Sequence, residues 1–202
     1  MHSYSLDTDF RKWVYVSLGI TAFALPAGIC HLSTWIRPMF TEMPILSWPL
    51  SFGATFGVLF YWFDHYLWRT GPISRLHGIP VLHGRWIVDG ISSFQCDPET
   101  GAPTHAFSME VVIKQTFTRL EVFTETDDST SRSTVAGVCV NHARPVFRYA
   151  FENTPKNKAN PKLQRHPGLI ELRVNSGGEL QGDYFSGKHR LRYGELTFRR
   201  ST

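Results

Sequence analysis

Two long apolar runs near the start of the chain constrain its fold more than any other sequence feature. They extend from Trp13 to Leu32 and from Pro49 to Trp68, and each holds about 20 residues. An α-helix rises about 1.5 Å per residue, so a run of this length crosses about 30 Å of hydrocarbon. The sequence therefore predicts two transmembrane helices, over about 13–32 and about 49–68. A signal peptide is a weaker alternative for the first run, because no small-residue cleavage site precedes a mature domain.

The residues that flank these runs predict how the chain is oriented. Tryptophan and tyrosine side chains, which favour membrane–water interfaces, stand at the ends of both runs. Arg11 and Lys12 precede the first run, and Arg69 and Arg75 follow the second. Because positively charged flanks stay on the cytoplasmic side, we expect both termini in the cytoplasm and a short turn outside.

Both runs contain pairs of small residues at helical spacing. Ala24 and Gly28 lie in the first run, and Gly53 and Gly57 form a GxxxG pattern in the second. Small residues one turn apart let helix backbones approach closely. The pattern is compatible with assembly between protomers, with packing of the two helices inside one chain, or with no role.

After Arg69 charged residues become common and the hydrophobic pattern changes to a period of two. Turn-forming clusters separate short alternating segments, which predict about eight strands. These cover roughly Gly84–Phe94, Ala106–Gln115, Arg119–Thr126, Ser131–Val140, Val146–Asn153, Leu169–Val174, Glu179–Phe185 and Arg192–Arg199. Sequential strands with short connections form an antiparallel meander, and eight of them can close into an up-and-down barrel. We expect residues 1–78 to form a membrane domain and residues 79–202 to form an all-β, lipocalin-like barrel.

Two further features favour a barrel of this kind. Gly84-Arg-Trp86 opens the first predicted strand, and Arg199 or Arg200 ends the last. This arrangement resembles the GxW signature and closing arginine of lipocalin-like barrels. The alternative interpretation is one core tryptophan and two solvated arginines.

The strand alternation also indicates what a barrel lumen would contain. Aromatic, hydroxyl and amide side chains share faces along three strands: Phe147, Tyr149, Phe151 and Asn153; Ser131, Ser133 and Val135; Leu180, Gly182 and Tyr184. If these faces point inward, the lumen is too polar for a lipid carrier. Aromatic faces with hydroxyl and amide donors suit a ligand that has bases and phosphates.

No catalytic constellation is recognisable. The sequence has no HExxH, no GxSxG and no glycine-rich phosphate loop followed by a helix, and its nine histidines lack ligand spacing. The sequence therefore predicts neither an enzyme nor a metal site nor a cofactor. A basic run, which consists of Lys156, Lys158, Lys162, Arg165 and His166, is either a solvated loop or a contact for an anionic ligand or the membrane face.

Several loose motifs follow one another along the whole chain in an order that resembles a known family. They are Gly84-Arg-Trp86, Gln115-Thr, Thr124-Glu-Thr126 with Ser129-Thr-Ser-Arg-Ser-Thr134, Tyr149-Ala-Phe-Glu-Asn153-Thr-Pro155, His166-Pro-Gly168, Gly182-Asp-Tyr-Phe185 and Gly194-Glu195. Together with two N-terminal spans, they resemble the two-transmembrane β-strand-rich effectors of bacterial cyclic-oligonucleotide anti-phage signalling (CBASS).

This resemblance implies a function in antiviral defence by abortive infection. A cognate nucleotidyltransferase makes a cyclic dinucleotide, and the β-barrel of the effector binds it. Binding then drives oligomerisation of the membrane helices, which disrupts the inner membrane and kills the infected cell. The implied partners are the cyclic dinucleotide, the lipid bilayer, further copies of the chain and a cyclic-nucleotide synthase, and the implied location is the bacterial inner membrane.

Under this resemblance the polar and aromatic residues expected to face inward become candidate ligand contacts. They are Trp86, Gln115, Thr124, Ser131, Ser133, Arg148, Tyr149, Asn153 and Tyr184. Two other functions stay open at this point. One is a membrane-tethered, calycin-like carrier of a small apolar ligand, and the other is a membrane adaptor whose β-domain docks a protein.

Overall fold

A computed structural model of the chain describes residues 1–36, 47–98, 100–141, 143–156, 164–187 and 191–201, and side chains within these ranges except at 29–36 and 47–51. The chain forms two units. A helical unit covers Asp9–Ile73, and a barrel unit combines Met1–Thr8 with Ser74–Thr202.

The helical unit contains two long helices, α1 (Phe10–Ile36) and α2 (Ser47–His65), followed by a short 3₁₀ helix (Leu67–Arg69). A seven-residue helix, α3 (Gly71–His77), leads towards the barrel strands. Tyr15 near the start of α1 contacts Phe60 near the end of α2, with ring centroids 5.9 Å apart. The two helices are therefore antiparallel neighbours.

The structure contradicts the prediction of two transmembrane helices. No helix in the parts of the chain that the structure describes is both long and apolar enough to cross a membrane. In α2 the polar atoms of Tyr61 and Trp62 and the carboxylate of Asp64 offset the leucines and phenylalanines, and α1 already contains Arg11 and Lys12 in its first turn. The predicted multi-pass inner-membrane location, with both termini cytoplasmic, falls with the predicted spans.

In the part of the chain that the structure describes, ten strands form one sheet. Eight of them make the barrel: β3 (Gly84–Cys96), β4 (Pro103–Gln115), β5 (Arg119–Glu125), β6 (Ser129–Cys139), β7 (Val146–Pro155), β8 (His166–Val174), β9 (Leu180–Ser186) and β10 (Arg192–Arg200). Each pairs antiparallel with the next, and β10 pairs with β3, so the described strands close into an up-and-down barrel. The predicted eight-stranded barrel is thus correct, because strict alternation and short turns leave few other ways to pair.

The barrel is least complete between β5 and β6. These strands pair directly only from Phe123–Arg132 to Glu125–Thr130. Below that point two short strands fill the opening: β1 (His2–Ser3) pairs antiparallel with β5, and β2 (Ser5–Leu6) pairs parallel with β6. We call residues 1–8 the N-terminal strap and the opening that it fills the β5–β6 seam.

A bulge in β6 changes which side chains point inward. The register shifts between Ser133 and Val135, so that Ala136 and Val138 are buried after it, whereas Val135 is 64% exposed. Val135 therefore does not share a face with Ser131 and Ser133, because one extra residue reverses the alternation beyond it.

Large apolar side chains fill one end of the barrel. Trp86, Phe147, Phe198, Leu120 and Leu82 are all buried in a single cluster. The ring of Trp86 meets that of Phe198 edge-on at 6.4 Å. This closed end gives the barrel its core and leaves the other end for a cavity.

Candidate ligand-binding cavity

A cavity of about 300 Å³ occupies the other half of the barrel and is partly open to solvent. Its size falls at the lower end of the range of small-molecule sites. Every barrel strand contributes to its wall, through the residues that continue the inward alternation beyond the closed end. They are Ser92, Phe94, His105, Phe107, Met109, Val122, Thr124, Thr126, Ser129, Ser131, Tyr149, Phe151, Asn153, His166, Ile170, Tyr184, Ser186, Arg192 and Leu196.

One wall of the cavity carries a belt of polar side chains. Thr124 pairs with Ser131 across β5 and β6, Ser131 pairs with Asn153 of β7, and Asn153 pairs with His166 of β8. Directly opposed residues on one face have Cβ atoms about 5 Å apart, so the four side chains are immediate neighbours. We call them the polar belt. It offers two hydroxyls, an amide and an imidazole to a ligand.

Aromatic rings supply the rest of the wall, and glycines make room for them. Phe107 lies opposite Gly90, and Phe151 lies opposite Gly168. A Cβ at either glycine would lie closer than 3.0 Å to the opposite ring, which real Cβ atoms do not do. The missing side chain thus lets each ring lie across the neighbouring strand and bound the cavity.

Two tyrosines present their hydroxyl groups near the cavity. The Tyr184 hydroxyl donates to Ser92 Oγ over 2.6 Å, and its ring meets Phe107 edge-on at 6.2 Å. Tyr149 is 5% exposed and stacks on Phe147. Burial raises the pKa of Tyr149 well above its ordinary value, so its hydroxyl remains a neutral donor at physiological pH.

The charge of the cavity favours an anion. Its described lining residues include Arg192, His105 and His166 but no aspartate or glutamate. A cavity with a cation and hydroxyl donors, and without carboxylates, suits a ligand that carries phosphates. Within the described part of the chain, no group of three or more metal-ligating side chains could hold a metal ion.

Five of the predicted contact residues meet in this cavity: Thr124, Ser131, Tyr149, Asn153 and Tyr184. Three of them, Thr124, Ser131 and Asn153, belong to the polar belt, where the inferred register agrees with the structure. Their role as ligand contacts stays a prediction.

The other four lie elsewhere. Trp86 Nε1 donates to the carbonyl of Leu82 over 2.9 Å, and Gln115 Oε1 accepts the backbone N–H of Leu82 over 2.7 Å, so both stabilise the closed end. Ser133 Oγ accepts the backbone N–H of Val122 over 2.9 Å at the β5–β6 seam. Arg148 is on the outer surface, 2.7 Å from Glu171.

Sequence reasoning missed several lining residues at the open end, namely Ser92, Phe94, His105, Phe107 and Arg192, and it placed His166 only in the basic run. A signal for two of them existed. Counting every second residue onward from Trp86 along β3 reaches Ser92 and then Phe94. His105 and Phe107 of β4 could not be predicted, because their placement depends on the register of β3 against β4.

Only part of the basic run lies within the residues that the structure describes. Lys156 Nζ lies 2.8 Å from Glu125, and Arg165 lies 2.5 Å from Glu152, whose pKa the hydrogen bond from Arg165 holds below its ordinary value. Lys158 and Lys162 lie outside the described residues. Lys156 and Arg165 thus serve ion pairs around the strand ends, whereas His166 lines the cavity.

A closed β-barrel with a partly open cavity of hydroxyls, aromatics and one arginine defines a receptor for a small ligand. Residues 77–200 match the model of the Cap15 cyclic dinucleotide receptor domain, which covers more than half of the chain. The chain therefore belongs to this family. It is also similar to CD-NTase-associated protein 15 of Yersinia aleksiciae, with 29% identity over 198 residues, 97% of this chain and 88% of the relative.

Family membership confirms the coarser part of the resemblance drawn from the sequence motifs. The family match supports the prediction of a CBASS effector with a β-barrel receptor domain for cyclic dinucleotides. The described structure does not support the prediction of two transmembrane helices. A receptor domain also indicates a binding function rather than a catalytic one.

Proposed function

We propose that this protein is a CBASS effector that binds a cyclic dinucleotide in the open half of its barrel and responds by self-association. On this proposal the protein has no catalytic activity of its own and needs no cofactor. The ligand comes from a cognate cyclic-nucleotide synthase. The proposal rests chiefly on one observation, the polar belt facing aromatic rings inside a carboxylate-free cavity.

The chemistry of the cavity supports this class of ligand. A cyclic dinucleotide carries two flat bases and two anionic phosphodiesters. Tyr149, Phe151 and Tyr184 offer ring faces for stacking, which every base tolerates. Thr124, Ser131 and Asn153 offer hydroxyl and amide groups for base edges or phosphate oxygens. A small apolar ligand would give Thr124, Ser131 and Asn153 no hydrogen-bond partner, which argues against the alternative function as an apolar carrier.

The helical unit supports self-association as the response. Trp13, Val16, Ile20 and Phe23 recur at helical spacing along α1, and each is more than half exposed. We call these four residues the α1 apolar stripe. A contiguous exposed apolar surface of this kind marks an interaction site. We take a second copy of the chain as its occupant, because an identical stripe provides the complementary apolar surface.

The final effect on the cell is part of the same proposal. Assembly would bring many helical units together, so that apolar side chains outside the stripe, such as Val58 and Trp62 of α2, form a larger surface that can bind to and disturb a lipid bilayer from its interface. This effect does not need a helix that spans the bilayer. Dye release from phospholipid vesicles, with and without ligand, measures it directly.

Calorimetric titration of the full chain with cyclic di-AMP, cyclic di-GMP and cyclic GMP–AMP tests the binding step. We expect saturable binding of at least one of them. Tyr149→Phe keeps the ring but removes the hydroxyl, so affinity should fall about threefold to tenfold. Arg85→Ala, on the outer surface and paired with Glu110, is the matched control and should bind as the wild type does. If no cyclic dinucleotide binds at millimolar concentration, the proposed function is wrong.

A further inference from the structure

Arg192 differs from most arginines of the barrel in what surrounds it. On the outer surface Arg85, Arg148, Arg165 and Arg199 each lie against an aspartate or glutamate. Arg192 instead lines the cavity, and no described carboxylate lies within ion-pair distance of it. Its charge is therefore not matched by an anion of the described protein.

An aromatic ring holds the Arg192 side chain in place. Its Cζ lies 4.1 Å from the ring centroid of Phe94, close enough for a cation–π contact. The edge of the same ring meets His105, with centroids 5.1 Å apart. Stacking uses the face of the guanidinium and leaves the N–H donors along its edge available. The stack thus fixes the plane of Arg192 without consuming its hydrogen-bond donors.

The backbone around Arg192 is held as well. Its carbonyl accepts a hydrogen bond from Ser186 Oγ over 3.4 Å, and the next backbone N–H, of Tyr193, donates to Ser93 Oγ over 3.0 Å. Gly194 of β10 pairs with Ser92 of β3, which lies two residues before Phe94 on the same strand. The backbone and the side chain of Arg192 are both positioned before an anion binds. Arg192 would therefore lose little conformational entropy on binding.

Phe94 is 51% exposed, whereas Tyr149 is 5% exposed, so Arg192 marks the mouth of the cavity and Tyr149 its deeper part. This difference in exposure to solvent divides the cavity into an inner part and a mouth that suit different parts of a ligand. Flat apolar surfaces suit the inner part, and charge suits the mouth, where water still reaches the ligand.

We propose that Arg192, stacked on Phe94, binds a phosphodiester of the ligand at the cavity mouth and so selects an anionic backbone without reading its bases. This inference rests on the proposed function and deepens it. A planar guanidinium forms two parallel N–H···O bonds to a phosphate, which a lysine ammonium cannot reproduce. The bases then fill the inner part of the cavity, where their identity is read by other residues.

The test compares several cyclic dinucleotides on the same variants of the full chain. Arg192→Ala should weaken every cyclic dinucleotide that binds the wild type by the same factor, about tenfold or more, because every one carries the phosphodiester. Arg192→Lys should retain part of the affinity, and Phe94→Leu should lose part of it. The affinity of Arg192→Ala should also depend less on salt than that of the wild type, since one charge contact is gone.

The outcomes separate this inference from the proposed function. If the wild type binds no cyclic dinucleotide, the proposed function fails and the inference fails with it. If the wild type binds and Arg192→Ala binds equally well, only the inference is wrong. A loss confined to guanine-containing ligands would mean that Arg192 reads a base edge, which also overturns it. Arg85→Ala is the control for loss of one positive charge.

Discussion

At the scale of single residues, the absence of a side chain at a few glycines shapes the cavity as much as the residues that line it. Gly168 lies opposite Phe151, and a Cβ there would also come within 2.8 Å of the carbonyl oxygen of Phe185. A larger residue at Gly168 therefore cannot be accommodated by moving one flexible side chain. The size of the cavity depends on this position.

Gly168→Ala should both destabilise the barrel and weaken ligand binding. The added methyl must displace the Phe151 ring or the backbone of β9, and overpacking of this kind costs about 1–3 kcal/mol. Urea denaturation measures the stability, and calorimetric titration measures the affinity. Gly187→Ala is the matched control, because a Cβ there meets nothing within 4 Å. Equal stability and equal affinity of the two variants would contradict this role of Gly168.

Tyr149 should impose an alkaline limit on stability. Burial raises its pKa above the ordinary value of 10.0, so the folded state keeps the proton that the unfolded state loses. This contribution is fully present below pH 10 and is lost as the pH rises from there towards the folded-state pKa. The free energy of unfolding of the wild type should therefore fall more steeply above about pH 10 than that of Tyr149→Phe. Parallel curves for the two proteins would rule this out.

The sequence predicted individual residues unevenly, and the reason is physical. Thr124, Ser131 and Asn153 could be placed because β5, the part of β6 before its bulge and the cavity half of β7 keep a regular alternation. Trp86 and Gln115 were predicted to contact ligand, although they hydrogen-bond to the residues that close the opposite end. Alternation tells which side chains point inward, but it does not tell which end of a barrel is filled.

At the scale of elements, the N-terminal strap completes the barrel wall. His2 Nε2 lies 2.8 Å from Ser133 Oγ, which also accepts the backbone N–H of Val122 across the β5–β6 seam. Tyr4 is 3% exposed and belongs to the core of the barrel, and Asp7 accepts the backbone N–H groups of Val140 and Asn141. Strands of two residues have no periodicity, so no sequence pattern could predict the strap, whereas the eight longer strands were predictable.

Tyr4→Ala should test whether the strap carries part of the stability of the barrel. Removing a fully buried aromatic side chain costs roughly 3–5 kcal/mol. We expect a loss of about this size in the free energy of unfolding, measured by urea denaturation. Ser3→Ala, an exposed neighbour in β1, is the control and should change stability little. A loss below 1 kcal/mol for Tyr4→Ala would show that the strap is dispensable.

At the scale of the whole molecule, the long apolar runs were correctly recognised as helices but wrongly assigned to a bilayer. A window count treats glycine, tryptophan and tyrosine as apolar, whereas the structure has no described helix that could cross a membrane. The same helices still expose the α1 apolar stripe and the small residues Gly53 and Gly57. A Cβ at either glycine would meet no atom within 4 Å in the described protein.

Gly53→Leu combined with Gly57→Leu should prevent ligand-driven self-association without harming ligand binding. The space around both positions is open, so the helical unit tolerates the larger side chains, while a second helix can no longer approach closely. Sedimentation velocity with and without the bound cyclic dinucleotide measures the assembly, and calorimetry confirms that binding persists. Gly177→Leu, in the turn between β8 and β9 where a Cβ also meets nothing within 4 Å, is the control. Unchanged assembly of the double variant would exclude this face.

The N-terminal strap also has a consequence for the order of events on the ribosome. His2 and Ser133 are 131 positions apart, so at about 5–20 residues per second the partner of the strap is synthesised roughly 7–26 s after the strap itself. For most of that interval α1 has already been translated, with its apolar stripe, while the segment preceding it has nothing to pair with. The nascent chain therefore passes through a stage in which the apolar helix α1 is complete but the strands that pair with the N-terminal strap do not yet exist. At this stage a holding chaperone would be needed most.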